Sequence, residues 1–557
     1  LKQSADTPEP PKEDVSDWLQ ELLQYADGAS LYSKSAPTVI RKTVRLPETQ
    51  DGEPICQSWR QMVNIGYAHD GLIGSVQEQL RRAQKEIGFT YLRFHGIFDD
   101  DMHIYQENED GSPWFNFAYA DLLFDFIQEI GLIPYVELGY MPSKLAKTQY
   151  TVFDNPAICI SMYNDSEKWQ ALVQACLSHW IDKYGLANVR KWRFTVFSMN
   201  YSRLQYTAPV MSHEDYCKMF EATYQTIKMI DPELKLGGAG CFPGIALAPD
   251  GLRRFLLDVK EHGCPPDFIT VQCYPHEDFS QDSDFFYFTS KQTSMPSVLS
   301  KDKNFTLHFL QRLNRIRQEI GFADCPVVVE EWNSTLWQRD LSGDTCYKAA
   351  WLIKNVLQNY DQAEYLGYWL LTDFLDEWLV PGGVFHGGYG LFTINGIPKA
   401  GYQALRMLGR IGERKIASGE GWFVSRTENT IQVYLYHYCH YDALYRYRYQ
   451  KLTDPHDAYK VFESDGRLKI ELELCGLDPG IYRQEIWTIN RSAGSTFDRW
   501  IEMGAPGVMT PEDLKYLNDM AQPLCKIRDT DTVGTLRLQA ELEPHEVRLI
   551  VLKKRDG

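Results

Sequence analysis

The chain contains no run of about 18 apolar residues and no charged-then-apolar leader, so nothing in its 557 residues marks a membrane span or an intact signal peptide. Basic residues are in deficit. Lysine and arginine number 57 against 75 aspartates and glutamates, a formal charge of −18. That balance opposes phosphate backbones and anionic lipid surfaces, which reward clustered Lys and Arg. Neither nucleic acid nor a membrane is expected as a partner of this segment. The 12 cysteines run from Cys56 to Cys525 without a CxxC pair and lie in apolar or periodic stretches such as ALVQACLSHW. They read as buried free thiols of a reducing compartment rather than as a disulfide framework. The expected location is cytoplasmic.

What is present is the composition of a globular protein, 44% hydrophobic and 24% charged, in a chain too long for one ordinary core. Its opening, LKQSADTPEPPKED, is polar and proline-rich and reads as a linker, followed by a short helix over Ser16–Tyr25 within residues 1–30. A linker in that place suggests a piece of a longer protein. From Met62 to Leu408, short β-rich runs alternate with helix-length amphipathic runs. The strands read as MVNIG, FTYLRFHG, IPYVELG, KWRFTVFS, LKLGGAG, DFITVQCYP, PVVVEEWN and YLGYWLLTD. Eight strand-helix units predict an α/β fold, a (β/α)8 barrel spanning 61–410. After about Lys415 the pattern turns to alternating strands, which predicts an all-β sandwich over 411–557. TVIRKTVRLP, within 31–60, is expected to add an edge strand to that sandwich.

In such a barrel the reacting groups sit at the C-terminal ends of the strands. Those ends carry His95, Glu137 and Tyr140, then Gln272 and Tyr274, then Glu330 and Glu331 after three valines. Successive strand residues face opposite sides, so one carboxylate of the pair is expected in the barrel mouth and the other outside it. Trp332, Asn333 and Trp337 follow, and beyond strand eight come Asp373, Glu377, Trp378 and the loop FHGGYG with Phe385, His386 and Tyr389. Carboxylates among aromatic rings suit a sugar, whose hydroxyls want acceptors and whose C–H faces pack on rings. His437 and Cys439 share one face of a strand, with His440 on the other, and lack a third convergent ligand, while the run Asp99–Asp101 is too local to cage a cation. Neither a metal nor another cofactor is expected.

The stretches RFHGIFDDDMHIY, PYVELGYMP, VVVEEWNST and FHGGYGLFTINGIPKAGYQAL resemble the signatures of glycoside hydrolase family 39, the β-xylosidase and α-L-iduronidase family. The resemblance runs from about Ile65 to the C-terminus. It implies a barrel, a retaining mechanism, a nucleophile glutamate ending strand seven and an acid/base glutamate ending strand four. Glu331 matches the nucleophile of the family's T-E-W-N pattern, with Glu330 where threonine is usual. At strand four the family pattern resembles F-E-V-W-N-E-P-N, whereas this chain reads FTVFSMNY, placing Met199 at the proton donor, Ser198 at the asparagine that holds the sugar 2-hydroxyl, and Asn200 at the proline. Gln272 stands where the strand-six motif has histidine.

Retention needs two carboxyl groups about 5–5.5 Å apart, one to attack the anomeric carbon and one to protonate the leaving oxygen. A thioether has no proton to give. No aspartate or glutamate occurs between Lys183 and Val210, so a shifted register restores none. Two readings stay open. In the first, the domain binds a xylose-like sugar or oligosaccharide, keeps Glu331, turns over weakly or not at all, and serves as the sugar-sensing part of an AraC-type regulator whose DNA-binding domain lies upstream, a fusion the resemblance supplies. In the second, it is a working retaining glycosidase that recruits another acid from Asp99, Asp100, Asp101, Glu137, Asp373 or Glu377. A purely structural role does not explain so many polar and aromatic strand ends.

Overall fold

The computed structural model describes residues 38–47, 52–149, 151, 155, 157–198, 211–248, 251–278, 297–337, 339–375, 383–446, 452, 454–463 and 466–555. The expected linker and helix of residues 1–30 lie outside this set, as do Met199, Glu377 and Trp378.

Eight parallel strands close into a barrel: β1 (Met62–Tyr67), β2 (Tyr91–His95), β3 (Ile133–Leu138), β4 (Arg193–Val196), β5 (Lys235–Cys241), β6 (Phe268–Cys273), β7 (Val327–Trp332) and β8 (Tyr365–Tyr368). Each is followed by a helix on the outside: α1 (Gly74–Glu86), α2 (Ala118–Glu129), α3 (Ser166–Tyr184), α4 (His213–Ile230), α5 (Leu252–Glu261), α6 (Phe305–Glu319), α7 (Cys346–Asn359) and α8 (Ala400–Leu408). Three helix starts are set by side chains that accept otherwise unpaired backbone N–H groups: Asp165 for α3, Ser212 in a capping box with Asp215 for α4, and Thr345 for α7.

The barrel is filled in layers. Met62, Tyr91, Tyr135, Phe268, Val328 and Tyr365 pack together as an apolar floor. Two residues further along the same strands the interior turns polar, with Asn64, Arg93, Glu137 and Glu330 all buried. That step of two is the strand period. A polar layer placed directly on an apolar floor must satisfy its charges internally, which governs the site described below.

The C-terminal region forms a sandwich. One sheet has seven strands and includes β9 (Arg414–Gly419), β10 (Trp422–Arg426), β11 (Thr430–Tyr436), β13 (Gly480–Ile489), β14 (Leu524–Thr532) and β16 (Val547–Lys554). The other has three strands, with β12 (Leu468–Cys475) between β15 (Thr535–Leu542) and the early strand Thr38–Arg45. The early strand runs parallel to β12, Thr38 opposite Leu468 and Arg45 opposite Cys475. Val424, Val433, Leu435 and Leu552 from the first sheet meet Val44, Ile470, Leu472, Leu538 and Leu542 from the second in one core.

Barrel and sandwich share α7. Thirteen residues of this helix are buried, and Tyr347 on it packs against Tyr438, Tyr441, Phe462 and His545. All twelve cysteines are free, eight of them buried. Among the described residues no helix is long and apolar enough to cross a membrane.

Candidate active site

Strand alternation places Tyr91, Arg93 and His95 of β2 on the inner face, and likewise Tyr135 and Glu137 of β3. Arg93 is fully buried at the centre of the polar layer. Its Nη1 donates to Glu331 Oε1 at 3.0 Å and to Asn64 Oδ1 at 3.1 Å, and its Nη2 donates to Glu137 Oε2 at 2.6 Å. Glu330 Oε1 lies 3.7 Å from the same Nη2.

Both members of the glutamate pair therefore enter the barrel, which corrects the expectation that one faces away. The reason is a β-bulge. Along β6 the register runs Val271 to Val329 and then Gln272 to Glu331, so Glu330 has no partner across the ladder. Val328 and Glu330 occupy the regular inward positions, and the extra residue turns Glu331 inward as well. Trp332 is turned out by the same step: it stacks on Trp351 of α7 with ring centroids 4.4 Å apart and donates its indole N–H to Thr306 of α6.

Glu331 is caged by donors. Besides Arg93, Oε1 receives His95 Nε2 at 3.1 Å and Gln272 Nε2 at 3.0 Å, while Oε2 receives the Tyr274 hydroxyl at 2.9 Å. Burial alone would raise this carboxyl, but Arg93, His95 and Tyr274 outweigh it and hold it down at about 2. His95 bridges, its Nδ1 lying 2.8 Å from Glu137 Oε1. Burial opposes its charge, yet the carboxylate of Glu137 carries it up to about 10, so the imidazolium donates from both nitrogens. Aromatic rings surround it: Tyr140 stacks at 5.8 Å, Trp369 tilts at 5.0 Å and Tyr67 at 5.9 Å. The result is an ionised, immobilised carboxylate at the barrel mouth, as a nucleophile requires.

Four of the carboxyls named from the sequence as possible acids have partners among the described residues. Glu137 spends both oxygens on Arg93 and His95. Asp99 accepts the Tyr140 backbone N–H at 3.0 Å, and Asp100 accepts that of Ser143 at 3.0 Å. Asp373 and Asp344 flank Lys399, at 2.6 Å and 2.5 Å. Each of this buried pair also takes a backbone N–H of the glycine loop, Asp344 from Gly387 and Asp373 from Gly390.

The other residues named from the sequence divide by place. Ser198 lies two residues beyond the end of β4, buried, its hydroxyl donating to the Gly240 carbonyl. Asn333 is a scaffold residue: it donates to the Trp369 carbonyl and accepts from Lys348. Trp337 packs edge-on to His276 and Tyr445. Tyr389 donates to the Leu336 carbonyl, and His386 turns to the Gly383 carbonyl. Phe385 is placed elsewhere, against Phe497 and Trp500 in a separate apolar cluster. Sequence reading missed Arg93, Asn64 and Trp369. A signal existed for the arginine: in Tyr91-Leu-Arg-Phe-His95 it shares the inner face with His95, a charge two residues inside a buried strand.

His440 donates to the Ser300 carbonyl and contacts Tyr438, which ties the sandwich to a barrel loop. His213, Cys217 and Asp258 bring ligand-type atoms within 4.8 Å of one another, but Arg254 lies 3.5 Å from Asp258 and the trio is charge-paired without a cation.

The sequence profile of Glycosyl hydrolases family 39 matches residues 42–537. A beta-xylosidase of Geobacillus stearothermophilus is 26% identical over 520 residues, covering 92% of this chain and 96% of that protein. The crystal structure of a monomeric beta-xylosidase from Caulobacter crescentus CB15 has the same fold, with a TM-score of 0.80 at 22% identity over 93% of this chain and 100% of that one. An uncharacterized HTH-type transcriptional regulator of Staphylococcus aureus is 22% identical over 233 residues, 41% of this chain and 29% of the regulator.

Proposed function

The chain belongs to Glycosyl hydrolases family 39, and from that premise we propose that it binds a xylose-like sugar with the anomeric carbon over Glu331 and serves chiefly as a sugar-sensing module. The caged carboxylate carries the reading. Four donors hold Glu331 as an anion, which supports reading it as the attacking half of a retaining site. The protonating half is not matched by it: residue 199 is methionine, Glu137 and Asp373 are paired with cations, and Asp100 and Asp99, the latter pushed up by burial, each accept a backbone N–H.

Lacking a general acid costs about 10²- to 10⁴-fold in rate, or roughly 2.7–5.4 kcal/mol of barrier. The cost falls on natural glycosides, whose alkoxide leaves poorly, and largely spares aryl glycosides whose phenolate leaves unaided. Deglycosylation suffers equally, because no carboxylate at position 199 takes a proton from the incoming water. Slow turnover of a tightly held sugar is a liability in a hydrolase and tolerable in a sensor. The aligned Staphylococcus aureus regulator supports coupling to transcription.

The test compares release of dinitrophenol from a dinitrophenyl β-xyloside with hydrolysis of xylobiose. A single burst from the aryl substrate, lost in Glu331→Gln, with xylobiose cleaved at least a hundredfold more slowly, is the expected pattern. Xylobiose turnover at ordinary enzyme rates would reject it.

A further inference from the structure

We propose that Glu330 is a positioning residue for Glu331, setting how firmly Arg93 holds the attacking carboxylate. The proposal rests on the reading of Glu331 given above. It starts from the bulge, which leaves Glu330 at the regular inward position and brings both carboxyls onto one guanidinium, Glu331 at 3.0 Å from Nη1 and Glu330 at 3.7 Å from Nη2.

The pocket around Glu330 is built for a carboxyl. A Cβ on Gly240 of β5 would come 2.4 Å from Glu330 Oε1, so a larger residue there would displace the carboxyl from its present place. Ser198, just after β4, borders the same space, its Cα 3.3 Å from that Cβ point. The Tyr135 hydroxyl of β3 donates to Oε2 at 3.4 Å. Where the family pattern has threonine, this chain has buried a third acid with 1% exposure.

The charged and titratable neighbours are Arg93 and His95 on β2, Glu137 and Tyr135 on β3, Glu331 on β7 itself, and Tyr216 on α4. Two cations face two other carboxylates, so the cluster balances when Glu330 keeps its proton. Burial first, then the charges of Glu137 and Glu331, push this carboxyl up to about 8 against the pull of Arg93 and His95. Its 1% exposure and its place against the backbone of Gly240 make it no donor to a departing sugar. Its effect passes through Arg93. While protonated, Glu330 leaves the guanidinium to Glu331 and Glu137; once ionised, it becomes a third claimant on Nη2 and loosens the cage.

Glu330→Gln keeps the shape and holds the uncharged state at every pH, and Glu330→Thr restores the family residue should the amide fold poorly. Two readouts are followed from pH 5 to 9.5. The first is the thermal midpoint. A carboxyl that binds its proton more tightly in the fold than in the unfolded chain contributes stability that is complete below its ordinary value of 4.5 and is lost as pH rises through about 8. The wild-type midpoint should therefore drop relative to the Gln variant across that window and then level off. The second is the single-turnover release of dinitrophenol from the aryl β-xyloside. The wild type should lose about threefold or more between pH 7 and 9, below the range in which His95 gives up its proton, and the Gln variant should stay flat there. A limb that persists in Glu330→Gln, or one absent from both proteins, overturns the proposal while leaving the reading of Glu331 intact. No release at all from the wild type sinks that reading instead, and the midpoint difference then decides Glu330 alone: growth with pH supports it and a constant offset refutes it.

Discussion

Replacing Arg93 with methionine keeps the length of the stem and removes the charge that meets Glu137 at 2.6 Å, Glu331 at 3.0 Å and Glu330 at 3.7 Å. Its size can be worked two ways. Glu331 is held from 4.5 down to about 2, and at about 1.4 kcal/mol per unit this is roughly 3 kcal/mol of preference for the ionised form, to which Arg93 is the largest favourable contributor. Removing one partner of a buried ion pair costs about 3–5 kcal/mol, because the other charge is left without compensation. The first route bounds the Arg93 share of the Glu331 effect at about 3 kcal/mol and the second gives about 3–5 kcal/mol, so a loss of about 3 kcal/mol is expected at pH 7. The assay is urea unfolding, read as a shift in midpoint at constant slope. A depressed carboxyl contributes stability that is present above its ordinary value of 4.5 and is lost as pH falls through about 2, so the penalty of Arg93→Met should shrink as pH is lowered from about 4.5 toward 2. Arg93→Lys keeps the charge but not the fork, and should fall between. A loss below about 1 kcal/mol at pH 7, or one that does not change with pH, would refute the account of Arg93 as the centre of the cluster.

Two further outcomes are expected. Met199→Glu should raise xylobiose hydrolysis by less than about a hundredfold, since Ser198 and Gln272 also depart from the family's arrangement; a larger gain in kcat would show that the remaining geometry is intact. Lys399→Met strands Asp344 and Asp373 inside the protein and should destabilise it by about 3–5 kcal/mol, while protection of the Gly387 and Gly390 amides against hydrogen exchange falls.

The barrel was readable because its strands are continuous apolar runs punctuated by glycine and separated by strongly periodic helices, and all eight quoted stretches contain a barrel strand. The early strand was legible as a strand from its alternation, whereas its parallel pairing with β12 was not. What escaped was local or long-range in origin. Strict alternation assigned Glu330 and Glu331 to opposite faces, and nothing in VVVEEW announces a bulge, since the extra residue is defined by the register with β6 and β8. Trp332 and Phe385 look like sugar platforms in a one-dimensional list. Their rings are spent on α7 and on the Phe497 cluster, contacts between segments far apart in the chain. Asp373 and Tyr389 sit near the mouth but are fixed by partners that the strand-end rule does not foresee, Lys399 and the Leu336 carbonyl.

Helix α7 offers no side to water: α6 and α8 flank it, and the sandwich covers what remains through Tyr347. The loop after β7 is pinned from the same quarter, with Tyr445 and Tyr441 reaching across to Asp340 and Ser342. The sandwich is thus the outer wall of the seventh and eighth repeats rather than an appendage. Grafting a foreign β-module after α8 would expose that flank and slacken the segment that follows the twin glutamates.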